Sequence, residues 1–296
     1  MTTTQPTVPS PSPRPTPPQS PSPSPSPPSQ SPSPSPSPSP SPQYRITAPR
    51  ILRSEWHKLH SLRSTWITVI SAVVMVLGVG LIMGGTYTSG GGDSDVDTVV
   101  LTLYGSLLGQ LCLIVLGILM TAGEYATGLI RSSLTAVPTR LPVLWAKAAV
   151  FAATVFTVMF ATALVTFAAA QAFLHDTDQA ASLTDPGILR ALAGNAAALT
   201  LLGLLALGLG ALLRSVPGAI GAFIGGVMIL PEILGMLPYD AVERAIMYFP
   251  TQAAGALGSA TPIPGTISPG PALLALSLWA GTTLASAALA LNRRDV

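Results

Sequence analysis

Gly123-Glu124-Tyr125-Ala126-Thr127-Gly128-Leu129-Ile130-Arg131, closing with Val137-Pro138-Thr139-Arg140, is a short polar stretch between two long apolar runs, Val99 to Ala122 and Val143 to Phe173. Each run is long enough to cross a bilayer, which takes about 20 apolar residues. A turn that merely joins two spans needs few polar residues. This one carries an acid, three bases counting Lys147, a glycine and two prolines, Pro138 and Pro142. Ile130, Leu134 and Val137 fall at helical spacing, which predicts a short amphipathic helix along the membrane surface. The plain alternative is a solvated loop whose bases only set topology.

Composition extends this reading to the whole chain. Hydrophobic residues make up 49% and charged ones 9%, far below the roughly 25% charged share of a soluble domain. The expected fold is an all-α integral membrane protein with six transmembrane helices, near 66–83, 99–122, 143–173, 189–213, 216–237 and 271–291. The runs are continuous rather than alternating, which favours helices over a barrel. With the amino terminus in the cytosol, eleven bases fall inside (Arg45, Arg50, Arg53, Lys58, Arg63, Arg131, Arg140, Lys147, Arg214, Arg293, Arg294) and two, Arg190 and Arg244, outside. The positive-inside rule therefore places both termini in the cytosol.

Residues 1–43 form a Pro/Ser-rich tail with Arg14 as its one charge among residues 6–42. Such a segment has too little apolar surface to fold and reads as a disordered cytosolic linker. A docking or phosphorylation platform is its alternative. From Pro49 the chain changes character. Residues 44–65 read as an amphipathic interfacial helix ahead of a six-span transmembrane domain, 66–296. Leu52, Trp56, Leu59, Leu62 and Trp66 take one face; Arg53, Ser54, His57, Lys58, His60 and Ser61 take the other. Arg63 sits on the apolar side and must snorkel or find a partner.

A search for chemistry returns little. No G-x-x-x-x-G-K-[ST] occurs, so the chain has no P-loop of its own. Cys112 is the single cysteine, and His57, His60 and His175 lie outside the spans, so neither a catalytic nor a Cys/His metal site is expected, and no cofactor. Glu232, beside Pro231, is the one acid well inside a span. An ionisable group there costs about 2.5–3.5 kcal/mol at the centre, so it is expected to face the bundle or be neutral. A structural hydrogen bond is its default reading and a substrate or gating role the alternative. Gln110 and Asn195 read as interhelical hydrogen-bonding residues, and Gly221 and Gly225 as a G-x-x-x-G packing pair. In the last external segment, Ala241 to Tyr248 and Thr251 to Leu257 are expected to form two short helices.

Glu124, Gly128, Leu134, Pro138, Arg140 and Lys147, in that order, resemble the signature between the second and third spans of ABC-2 type transporter permeases. Leu129 stands where that family usually has Thr. Ser54-Glu55-Trp56-His57-Lys58-Leu59, Leu62-Arg63-Ser64-Thr65-Trp66 and the closing Arg293-Arg294-Asp295 resemble actinobacterial members. The resemblance covers Ile46 to Val296. It implies a permease subunit of an ABC exporter in the bacterial cell membrane, and no nucleic acid partner. A separate ATPase subunit would contact the interfacial helix (Glu55, Trp56, Lys58) and a coupling turn of Glu124, Gly128, Arg131, Leu134, Pro138 and Arg140. Two permeases, identical or different, would surround the export path. Glu124 and Arg131 would fix the turn by charge pairing with the ATPase or with the interfacial helix. A membrane enzyme, or a non-transporting anchor or sensor that recruits a cytosolic partner, is the alternative.

Overall fold

The computed structural model describes residues 48–89, 96–126 and 140–293, all within one compact unit. The Pro/Ser tail and most of the polar turn lie outside the described residues. Among those described there are helices and no strand. Helix α1 (Ala48–Ser61) leads, followed by α2 (Arg63–Thr86), α3 (Thr98–Thr102), α4 (Ser106–Ala126), α5 (Arg140–Leu174) and α6 (Ile188–Leu213). Then come α7 (Val216–Phe223), a π-helical turn (Ile224–Ile229), α8 (Leu230–Gly235), α9 (Asp240–Ile246), α10 (Pro250–Leu257) and α11 (Pro269–Arg293). Six helices are long and apolar enough to cross a membrane: α2, α4, α5, α6, the continuous run α7–α8, and α11.

Helix α6 is the centre of the bundle: 67% of its apolar window is buried, against 22% for the fifth span. Small residues let its neighbours come close. A Cβ on Gly117 of α4 would sit 2.4 Å from the Gly203 carbonyl of α6, and one on Gly194 would sit 2.1 Å from the Leu257 carbonyl of α10. Lipid tails are as apolar as the side chains and give no hydrophobic drive between helices, so such backbone approaches supply the packing contacts of a membrane core. The pair read from sequence behaves otherwise: Gly221 and Gly225 have no atom near the place of a Cβ. Glycines that do pack closely include Gly80 of α2, Gly117 of α4 and Gly194 of α6.

The second span is shorter at its start than the apolar run suggested. Val99 to Thr102 belong to the separate helix α3, and the chain turns at Leu103–Gly105 before α4 begins. Gly105 explains the break, because its backbone lies against α2, where a Cβ would be 2.4 Å from the Met75 carbonyl. Asp97 starts α3, its Oδ1 accepting from the Val99 and Val100 amides at 3.0 and 3.3 Å. Its Oδ2 accepts from the Thr261 amide and hydroxyl, both at 2.7 Å, and so ties the segment before α11 to the first connection. Burial would raise the pKa of Asp97, but the Thr261, Ala260 and Val100 hydrogen bonds prevail and hold it below the ordinary carboxylate range. Nearby, the Arg190 Nη2 donates to the Ser259 and Ala260 carbonyls, each at 3.0 Å.

Because its folded pKa is lowered, Asp97 contributes stability above the ordinary carboxylate pKa and loses it as pH falls through the folded value, below about 4. Asp97→Ala removes a helix cap and two tertiary hydrogen bonds. It is expected to destabilise by about 1–2 kcal/mol at neutral pH. Thermal midpoints of parent and variant should differ clearly at pH 7, and the gap should narrow as pH falls below about 4; a gap that does not narrow with acidification would contradict the assignment.

Candidate functional site

At the end of the bundle where α4 finishes and α5 begins, four charged side chains meet. Lys147 of α5 donates from Nζ to Glu55 Oε2 of α1 at 2.9 Å and to Glu124 Oε1 of α4 at 2.8 Å. Lys58 of α1 donates to the same Glu124 oxygen. Lys147, Glu55 and Glu124 are buried, with side chains 5%, 9% and 11% exposed, while the Lys58 side chain is 32% exposed. Among the described residues two acids face two bases, so their charges balance. Its members come from three helices that are remote in sequence.

Local sequence explains the convergence. On α1 the buried positions are Ile51, Glu55 and Leu59, a spacing of four that forms one stripe against the bundle. Lys58 adjoins this stripe and reaches Glu124 over the rim. Leu52 and Trp56 point away, and with Leu62 and Trp66 they remain exposed apolar groups suited to the interface with lipid. Of the apolar face read from sequence, Leu59 alone turns inward. The helix also stops at Leu62 before α2, so Leu62 and Trp66 do not belong to α1. Trp56 stacks on His60 with ring centroids 4.2 Å apart, and the Trp66 indole donates to the His60 carbonyl at 2.9 Å, which fixes the corner between α1 and α2. Arg63 is exposed, in keeping with a snorkelling side chain.

Helix α5 is 35 residues long, about 52 Å at 1.5 Å per residue, so it overshoots a hydrocarbon core of about 30 Å. Lys147 is in its second turn and therefore near the membrane surface. Beside the cluster, the Arg214 guanidinium lies 5.0 Å from the centroid of the Tyr125 ring in a cation–π contact. Arg214 has φ 55° and closes α6 in the left-handed conformation. The turn from α6 to α7 is thereby held against the end of α4.

Of the residues expected to form the coupling turn, Glu124 lies in the last turn of α4 and Arg140 opens α5. Gly128, Arg131, Leu134 and Pro138 lie outside the described residues. Glu55 and Lys58 join the cluster, whereas Trp56 faces away. Glu232 does not join. It sits at the far end of the bundle, exposed, and accepts from the Gln252 amide at 3.3 Å. The expectation that it faces the bundle or is neutral, with a structural hydrogen bond by default, is corrected in part: it does not face the bundle, because α9 and α10 fold back beside α8, and its hydrogen bond is to Gln252 rather than to a neighbouring span. Asn195 does make an interhelical bond, accepting from Ser106 at 3.1 Å. Lys147 is the residue whose part sequence reasoning missed. Its signal was a lysine inside a long apolar run, which demands a partner. Among the described residues no group of three His, Cys, Asp or Glu is placed to hold a metal.

The family model described as ABC-2 family transporter protein matches residues 51–229. This chain belongs to the ABC-2 transporter family. The match runs from Ile51, the first inward residue of α1, to the end of the π-helical turn, and it includes all four residues of the ion cluster. No curated protein matches the chain. An ABC-2 family protein with six apolar helices is a multi-pass membrane permease, the transport component of an ABC transporter, and a partner of an ABC ATPase subunit.

Proposed function

We propose that this ABC-2 permease is the membrane subunit of a bacterial ABC exporter and that the Lys147–Glu124–Glu55–Lys58 cluster is its coupling joint. The observation that carries the reading is that one lysine locks the interfacial helix to the ends of both spans flanking the polar turn. An ATPase pushing on α1 or on the turn would then move α4 and α5 together, because charge-assisted hydrogen bonds of 2.8–2.9 Å leave little slack. Half-exposed Lys58 is the member that an acidic ATPase surface reaches without first breaking the buried core of the cluster. Glu124, Gly128, Arg131, Leu134, Pro138 and Arg140 remain the proposed contact set, with Glu55 and Lys58 on α1. The open glycine face of the fifth span, at Gly221 and Gly225, supports pairing with a second permease, identical or different. Copurification with an ATPase, and ATP-driven export from reconstituted vesicles, test the reading; failure of both would overturn it.

The bias of bases supports a topology in a bacterial cell membrane with the cluster end, both termini and the polar turn on the cytosolic side. With Cys112 replaced, cysteines at Asp178 are expected to react with impermeant reagent in intact cells, and cysteines at Thr139 only after the membrane is opened. Labelling of Thr139 from outside would reverse the topology.

A further inference from the structure

A cavity of about 490 Å³ lies at the far end of the fifth span, between α8 and the two short helices that fold back after it. Its volume is that of a drug-sized ligand, about 300–1,000 Å³. The walls are mixed. Met236, Ile246 and Met247 provide apolar surface, and Glu232, Glu243 and Gln252 provide polar groups. No lysine, arginine or histidine is among its described lining residues. Of the bases at this end, the Arg244 Nε donates to the Asp240 carbonyl, and Arg190, in an adjoining cavity, donates to two carbonyls. Glu232 has a 3.3 Å contact from the Gln252 amide, a long bond for a carboxylate, whose charge-assisted bonds run about 2.7–2.9 Å.

We infer that this cavity is a binding site for a lipophilic organic cation, the class of cargo that the exporter would release at this end. Two carboxylates on an amphipathic wall attract positive charge and repel negative charge, and the dielectric near a membrane edge strengthens both effects. Met236 and Met247 are flexible and polarisable, so they fit apolar bodies of varied shape. The inert reading, in which Glu232 serves only as a hydrogen-bond acceptor for its own fold, leaves Glu243 on the same cavity without a purpose. The π-helical turn Ile224–Ile229 lies directly before α8, which carries Glu232; such turns recur at functional sites.

Binding itself does not depend on the export reading; only the description of the cation as cargo rests on it. The test uses the full chain in nanodiscs of neutral lipid, without ATPase, and two probes of equal size and opposite charge: tetraphenylphosphonium and tetraphenylborate. After subtraction of empty nanodiscs, the cation is expected to bind saturably with one site per chain and the anion not to bind. The double variant E232Q/E243Q is expected to weaken cation binding at least about tenfold. Asp178→Asn, at the same end but bonded to Tyr87, is expected to change nothing. If the double variant does not fold, Glu243→Lys on the exposed face of α9 is decisive, because it should abolish cation binding and admit the borate. Equal binding of the two probes, or unchanged cation affinity in E232Q/E243Q or Glu243→Lys, overturns the inference. An ATPase that fails to associate while the cation still binds overturns the export reading alone.

Discussion

Replacing Lys147 with methionine is expected to lower the thermal midpoint of the nanodisc-embedded chain more than any other single change in the charged cluster. The lysine ammonium is shared by Glu55 and Glu124, and its side chain is 5% exposed. Methionine keeps most of the length of the side chain but leaves Glu55 buried without its lysine. Glu124 loses the buried ammonium and keeps Lys58, which is partly in water. Breaking a buried ion pair by removing one partner typically destabilises by about 3–5 kcal/mol, since the remaining charge stays desolvated. The effect should be concentrated in α1, because Glu55 is what holds that helix to α5. Tryptophan fluorescence is a convenient readout, as Trp56 and Trp66 flank the corner and Trp145 stands two residues from the lysine. Adding Glu55→Gln to Lys147→Met removes the stranded charge and should restore part of the loss, giving a coupling of about 1–3 kcal/mol between the two sites. An additive double variant, or a single variant as stable as the parent, would show that apolar contacts of Ile51 and Leu59 hold α1 instead.

The six spans were legible in the sequence because a bilayer imposes a one-dimensional rule: about 20 apolar residues in a row. That rule says nothing about contacts between spans. Val99 looked like the start of the second span because the run is apolar from there. The break at Gly105 comes from the closeness of α2, which a linear reading does not contain. The same holds for α1. Its spacing supports two apolar stripes, and Glu55, a charged residue on the inward one, decides which stripe faces the bundle. Lys147 completes the pair 92 positions away. A charge inside an apolar run announces that a partner exists, yet not which acid it is; with Glu55, Glu124 and Glu232 all available, only the fold selects. Glu232 does lie in the fifth span, close to its end. A linear reading could not show that the chain doubles back after Gly235 and brings Gln252 to it.

Glu124→Lys is expected to have the largest effect on partnership with the ATPase. The substitution turns two acids against two bases into one acid against three bases. Lys58 and Lys147 then repel the new side chain at the end of α4, and Glu55 is the one acid left in the cluster to offset them. Like charges about 4 Å apart cost on the order of several kcal/mol in a partly buried setting, so α1 should leave its place. Insertion should survive, because the spans remain apolar and the site lies near the membrane surface. On the proposed reading, an undocked α1 no longer passes the ATPase's movement to α4 and α5. A lost contact of this kind costs about 2–5 kcal/mol when the partner is left unpaired, enough for a tenfold or greater fall in ATPase association or in cargo-stimulated hydrolysis. Glu124→Gln should be milder, since the amide still accepts from Lys147 through its oxygen. Gly128→Val probes the turn itself without altering charge. The comparison is pull-down of the ATPase beside stimulated hydrolysis for all three variants. Unchanged association and hydrolysis in both Glu124→Lys and Gly128→Val would reduce the cluster to a clasp that holds α1 in place, and the transmission of force would have to run through another part of the bundle.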